Sequence, residues 1–202
     1  MSKRQGPAGA GIVGGLRGLY DLYDFKPENV NLDDVFKTLS QMCRYGGRCN
    51  RFFSVAQHSV LVSQIVADMT KTESEWFTRA KTLGGLCHDF TEAYLTDIIR
   101  PIKVLIPGIE DLERNIKYVM AKEYELGLLD SLEIKAADNI ALFHEANHLG
   151  FDTSNWNFIQ EVRKSELSMQ SALILNAESE STRWEWLLKS EYAKLTKTGE
   201  QR

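Results

Sequence analysis

Apolar residues recur along most of this chain at spacings of three and four. Leu32, Val35, Phe36, Leu39, Met42 and Cys43 form one such stripe, the pattern of a helix that buries one face. Asn31 stands before it as an N-cap, and Gly46-Gly47 is expected to end it. Ser54 caps a second helix carrying Val55, His58, Val62, Ile65 and Met69. A third is expected from about Ser74 to Thr96, stopped before Pro101. Ile109, Leu112, Ile116, Val119 and Met120 mark a fourth, closed by Gly127, and a fifth spans about Ser131 to Leu149 with Gly150 after it. Two more are expected near Phe158–Leu175 and Ser181–Leu195. Strand signals are nearly absent and there is no internal repeat, so the pattern predicts an all-α helical bundle.

Composition narrows the class. A length of 202 residues suits one domain with a sizeable core. Six of the first 18 residues are glycine, so residues 1–18 read as a flexible leader and 19–202 as the domain. Gly9-Ala10-Gly11-Ile12-Val13-Gly14 spells the dinucleotide fingerprint, but only eight residues precede it and no βαβ pattern follows, so it reads as part of a flexible leader rather than as a cofactor site. The net charge of -4 argues against nonspecific nucleic-acid binding. No apolar run approaches the about 20 residues that cross a bilayer, and Gly-rich sequence follows Lys3 and Arg4 where a signal peptide would need an apolar run, so none is expected. Three spaced cysteines, Cys43, Cys49 and Cys87, read as reduced thiols of a cytoplasmic protein.

The most informative segment is Leu86-Cys87-His88-Asp89-Phe90-Thr91-Glu92. An adjacent His and Asp in an apolar helix put an imidazole and a carboxylate where a core favours neither. A divalent ion relieves that cost, because both side chains can coordinate it. Neighbouring helical residues point about 100° apart, so an ion must sit in the sector between them. Glu92 follows one turn on, on the same face, the place for an acid/base acting on water at the ion. His58 lies mid-helix in Ser54-Val55-Ala56-Gln57-His58-Ser59, and Asp138 in Ile134-Lys135-Ala136-Ala137-Asp138-Asn139. Taken singly, His58 reads as a satisfied core histidine and Asp138 as a packing acid. With His88-Asp89 they occupy three predicted helices, which a bundle can converge on one point.

This order of residues resembles the HD superfamily of metal-dependent phosphohydrolases. Arg44-Tyr45, Ser-Val-Ala-Gln-His-Ser at 54–59 and His-Asp-x-x-Glu-x-x-x-x-Asp at 88–97 are similar to its 5′-deoxynucleotidase branch. Their wording resembles bacteriophage-encoded members, some of which are dATP triphosphohydrolases. The resemblance covers roughly residues 19 to 150. It implies one divalent transition metal held by His58, His88, Asp89 and Asp138, with Mn, Fe, Co and Zn equally suited, and allows further ions on the substrate phosphates. It implies Glu92 as catalytic acid/base, Arg44 as the phosphate-orienting cation, Tyr45 against the nucleoside and Asp97 on the sugar 3′-hydroxyl. Family members often carry Trp where Tyr45 stands, and the two glycines after it also depart from their commonest wording. Arg48, Arg51, Arg100 and Lys103 could serve a longer phosphate chain, or be solvated surface charges.

The implied reaction is hydrolysis of a purine deoxynucleoside triphosphate, dATP above all, to deoxynucleoside and triphosphate. The alternative is a 5′-deoxynucleotidase acting on monophosphates. A homo-oligomer is also implied, and the last helix, with Trp184, Trp186 and Leu187, could supply an interface or part of the core. Two other classes remain. His144-Glu145-Ala146-Asn147-His148 spells the HExxH zinc-protease motif, with Glu161 or Glu166 as the third ligand it would need. In the HD resemblance, Glu145 instead supports the site from behind. A non-catalytic HD-like module is the last possibility.

Overall fold

The structure is a computed structural model that describes residues 11–15, 18–156, 162 and 164–197. A short antiparallel hairpin comes first, β1 (Ile12–Gly15) paired with β2 (Gly18–Asp21). The described part of the expected leader is therefore strand and turn. Tyr20 of β2 is buried in the helical core and anchors the hairpin there. Gly9 and Ala10 of the fingerprint lie outside the described residues.

Helices make up the rest: α1 (Leu32–Gln41), α2 (Val55–Thr70), α3 (Glu75–Cys87), α4 (Glu92–Leu95), α5 (Arg100–Lys103), α6 (Ile109–Glu123), α7 (Leu132–His148), α8 (Met169–Asn176) and α9 (Ser181–Thr196). The all-α expectation holds, and the predicted caps are in place. Asn31 accepts the amide of Asp34, and Ser54 that of Gln57, both at 3.1 Å. Each satisfies an N–H that the first turn leaves without a helical partner.

Four boundaries differ, the simplest being α6, which ends at Glu123 rather than at Gly127. α1 ends at Gln41, not at Gly46-Gly47, because the chain goes extended and pairs with the lead-in to α2. Arg44 N–H donates to Phe53 O at 2.9 Å and Val55 N–H to Met42 O at 3.0 Å. The third predicted helix breaks after Cys87, where His88 turns its Nδ1 back onto Gly85 O at 2.8 Å, the carbonyl that Asp89 N–H would use in a continuing helix. The helix expected near Phe158–Leu175 begins, in its described part, only at Met169, capped by Ser168. Its first residues, Phe158 among them, lie outside the described set.

α2 is the central element. Phe53 through Ser63 are all buried, so the first half of this helix is enclosed on every side rather than amphipathic, while Met69 near its end is exposed. Val55, Ala56 and Val60 face one apolar cluster with α1, α6 and α9, while Leu61, Val62, Ile65 and Val66 face another with α7 and α8. Gly85 lets α3 lie close against α2: a Cβ there would meet Val66 Cγ2 at 3.0 Å. That approach brings His58 of α2 together with His88, the residue that caps α3. Trp184 is a core residue, 1% exposed, whereas Trp186 stands 65% exposed. Cys43, Cys49 and Cys87 are free thiols, with the first two sulfurs 3.7 Å apart. Among the described residues, no helix is long and apolar enough to cross a membrane.

Candidate metal centre and substrate pocket

His58 and His88 meet at the centre of the bundle with their Nε2 atoms 3.3 Å apart. Asp89 Oδ2 lies 3.3 Å from His58 Nε2 and 3.2 Å from His88 Nε2. Asp138 Oδ1 lies 3.3 Å from the first and 4.0 Å from the second. The donor atoms of His58, His88 and Asp138 all fall within 4.8 Å of one another, a group that could hold a metal ion.

The opposite ring nitrogens test whether an ion fits. His88 Nδ1 meets a carbonyl, which can only accept, so it carries the proton. His58 Nδ1 meets Glu145 Oε1 at 2.7 Å, again an acceptor when ionised. Both Nε2 atoms are thereby set to present lone pairs to the space shared with two carboxylates. Lone pairs and negative oxygens crowded together need a cation, and imidazoles anchored through the other nitrogen are the usual form of metal-binding histidine. Without an ion a proton must take its place. Burial and the Arg44 charge push the His58 imidazole down, yet Glu145, Asp138 and Asp89 outweigh them and hold it well above the usual histidine range. Burial works against the negative charge of Asp89 and Asp138, but the two histidines keep both carboxyls below the usual carboxylate range.

Glu145, entirely buried on α7, organises the surrounding groups. Its Oε1 takes His58, while Oε2 accepts Arg44 Nε at 3.1 Å and the Tyr45 hydroxyl at 3.1 Å. Burial opposes the Arg44 charge, and Glu145 more than restores it, with Asp89 3.6 Å from Nη1. Tyr45, Gly46 and Gly47 sit consecutively in the left-handed region at φ 58°, 59° and 71°. Glycine accepts this freely, but Tyr45 does not. Thr96, at φ 69° and ψ 160°, occupies a region almost confined to glycine. The two strained residues are linked through the neighbour of Thr96: Tyr45 N–H donates to Asp97 Oδ2 at 3.1 Å. Backbone strain at this point is held by the fold around it and aims Arg44, Tyr45 and Asp97 at one cavity.

That cavity, about 330 Å³, is lined by Arg44, Asp89, Glu92, Asp97 and Asp138 on one side and by Arg48, Arg100 and Lys103 at its rim. Tyr45, Leu142, Phe151 and Trp156 form an apolar wall. Glu92 does not share a helix with His88 and Asp89 as the sequence suggested. It opens α4 after the break, and the turn still delivers it to the pocket. Its Oε2 is buried without a hydrogen-bond partner. Burial, with Asp89 and Asp97 nearby, raises its carboxyl well above the usual range. Burial likewise raises Asp97. Lys103 is held by Glu113 at 2.5 Å. Arg51 is not at the pocket; it binds His148 and Leu175 O.

The HExxH histidines do not converge. His144 Nε2 faces Ser165 and His148 pairs with Arg51, while Glu145 between them points into the bundle. Neither histidine belongs to a metal-capable group among the described residues. Glu161 lies outside those residues.

Phe151 and Trp156 are pocket residues that the periodicity did not reveal. One signal was available. Gly150, at φ 86°, ends α7 in a Schellman motif, with Gly150 N–H on Asn147 O at 3.3 Å and Phe151 N–H on Ala146 O at 2.9 Å. That motif folds the apolar residue after the glycine back onto its own helix, here beside Tyr45.

Fold and site together define an all-α bundle built around a buried His-His-carboxylate centre able to hold a metal ion. No protein-family profile matches the chain. It is 34% identical over 152 residues to the "Uncharacterized protein YfdR" of Escherichia coli strain K12, covering 74% of this chain and 79% of that one. It is 30% identical over 137 residues to the "Uncharacterized protein RCAP_rcc00048" of Rhodobacter capsulatus, covering 64% and 67%. The chain belongs to the family of these two proteins.

Proposed function

We propose that this protein hydrolyses deoxynucleotides in a metal-dependent manner, with a purine deoxynucleoside triphosphate as substrate, dATP the first to test, and deoxynucleoside and triphosphate as products. The observation that carries this reading is the convergence of His58, His88, Asp89 and Asp138 beside a buried arginine and a buried, unpartnered glutamic acid in one cavity. His58, His88, Asp89 and Asp138 would hold one divalent transition metal of the Mn, Fe, Co or Zn type. Such an ion supplies Lewis acidity towards a phosphate oxygen and lowers the pKa of water at the site. Arg44 offers a planar donor fork to the phosphate, preset by its Nε contact with Glu145. Water adds to the α-phosphorus, the bond to the 5′ oxygen breaks, and Glu92 gives its proton to the departing oxygen and takes one back from the added water. Burial and the nearby Asp89 and Asp97 raise its carboxyl, which favours the protonated form that a proton donor needs. Asp97, fixed by the Tyr45 amide, is the carboxylate for the sugar 3′-hydroxyl.

Arg48, Arg100 and Lys103 at the rim support a triphosphate. The Lys103–Glu113 pair supports the second reading, a 5′-deoxynucleotidase, since a monophosphate needs Arg44 alone. The test is release of phosphate, pyrophosphate and triphosphate from dNTPs, dNMPs and NTPs with Mn²⁺, Co²⁺ or Zn²⁺, beside Asp89→Ala. Triphosphate from dATP, lost in the variant, is expected. Activity on monophosphates alone selects the second reading, and silence on every nucleotide refutes both.

A further inference from the structure

Three aromatic residues, Tyr45, Phe151 and Trp156, line the same cavity as Asp89 and Asp138. Tyr45 and Phe151 have ring centroids 4.9 Å apart at 37°, and Phe151 and Trp156 follow at 6.2 Å and 51°. The three rings are consecutive neighbours, and each contributes to the lining of the cavity that Arg44, Asp89, Glu92 and Asp138 also line. Each is only partly buried. Their ring surface is thus shared between packing and the cavity, unlike Phe53 and Phe90, which are fully enclosed. Phe151 is held in place by the Schellman motif at the end of α7, the helix that also carries Asp138 and Glu145. The wall is thus registered to the reacting groups by a rigid element. The polar Tyr45 hydroxyl turns inward to Glu145, which fixes its ring.

On the basis of the deoxynucleotide reading, we propose that Phe151 and Trp156 extend Tyr45 into a stacking surface for the nucleobase, and that this surface selects purines over pyrimidines. A flat π system is held by dispersion and stacking over rings of this kind, and the energy grows with the overlapped area. A two-ring base covers more of this ring surface than a one-ring base does. Recognition through the face of the base also leaves the phosphate end free to reach Arg44 and the metal-ligating groups.

The experiment compares the wild type with Phe151→Ala, Trp156→Ala and Phe151→Leu, the last keeping apolar bulk without a π face. Three quantities are read for each: KM and kcat for dATP and dCTP, the dissociation constant of deoxyadenosine by calorimetry, and that of inorganic tripolyphosphate, which has no base. The alanine variants are expected to raise KM for dATP and weaken deoxyadenosine by about 5- to 150-fold. The effect on dCTP is smaller, kcat for dATP is nearly unchanged, and tripolyphosphate binds as before. Phe151→Leu should lose much of the same discrimination while melting near the wild type. Equal weakening of tripolyphosphate and deoxyadenosine makes the rings merely structural and overturns the proposal, as does an unchanged ratio of dATP to dCTP. A wild type that hydrolyses no nucleotide defeats the deoxynucleotide reading itself. Deoxyadenosine calorimetry then still separates a working stacking surface from none.

Discussion

Glu145 accepts the Nδ1 proton of His58 at 2.7 Å, and both side chains are sealed from solvent. The same carboxylate holds Arg44 and Tyr45. One buried acid on α7 therefore sets the orientation of an imidazole at the candidate metal centre, of the buried Arg44 guanidinium and of an aromatic of the pocket. It is the glutamate of the HExxH sequence, put to a different use because its flanking histidines face Ser165 and Arg51.

Replacing Glu145 with Gln should weaken metal binding by about 10- to 100-fold, since the carboxylate anchors a ligating histidine from behind. Chelator competition reads this directly. Glu145→Ala should also destabilise the fold by about 3–5 kcal/mol in denaturant titration, because it leaves the Arg44 charge buried without its partner. An Ala variant as stable as the wild type would show that Arg44 finds another partner, Asp89 being the nearest.

Metal binding should release a proton and tighten as pH rises. Glu145, Asp138 and Asp89 hold the ion-free His58 protonated above the usual histidine range, against burial and Arg44. An ion must displace that proton, so apparent affinity falls as the solution becomes more acidic. Calorimetry in buffers of different ionisation enthalpy measures the protons released. Saturation at 100 times the dissociation constant adds about 2.7 kcal/mol to stability, or about 5–10 °C of melting temperature for a domain of this size, and EDTA should remove it.

Glu92→Gln should abolish turnover and stabilise the metal-free protein. Burial and the charges of Asp89 and Asp97 raise the Glu92 carboxyl above its ordinary value of 4.5. A raised carboxyl contributes stability that is present below the unfolded value and is lost as pH rises through the folded one. The neutral amide avoids that loss. In EDTA the variant should outlast the wild type near neutral pH, with the difference shrinking below the ordinary glutamate range. Thermal melts across pH check the sign.

Arg44→Ala should cut turnover with metal content retained, and Asp97→Asn should erode the preference for deoxy over ribo substrates. Asp97 also accepts the Tyr45 amide, which Asn can still do through its carbonyl, so the backbone should hold. Turnover unchanged in the first variant, or an unaltered sugar ratio in the second, would remove that residue from substrate contact.

Local chemistry was legible in the chain itself. Periodic apolar positions and the caps at Asn31, Ser54 and Ser131 act within a few residues, so the order of helices and most of their starts could be read directly. The clustering of His58, His88, Asp89 and Asp138 could be anticipated because each places a polar group where an apolar core tolerates it only with a partner. Where local and distant forces compete, the tertiary structure decided. The β-bridge from Cys43 to Ser54 drew Met42 and Cys43 out of α1, and the His88 contact with Gly85 O ended α3. Glu145 facing inward while His144 and His148 face away depends on how α7 is rotated against α2, and that rotation follows from packing rather than from any five-residue motif. The group of Tyr45, Phe151 and Trp156 joins residues far apart in sequence through one left-handed turn and one helix cap. No periodicity records such a meeting.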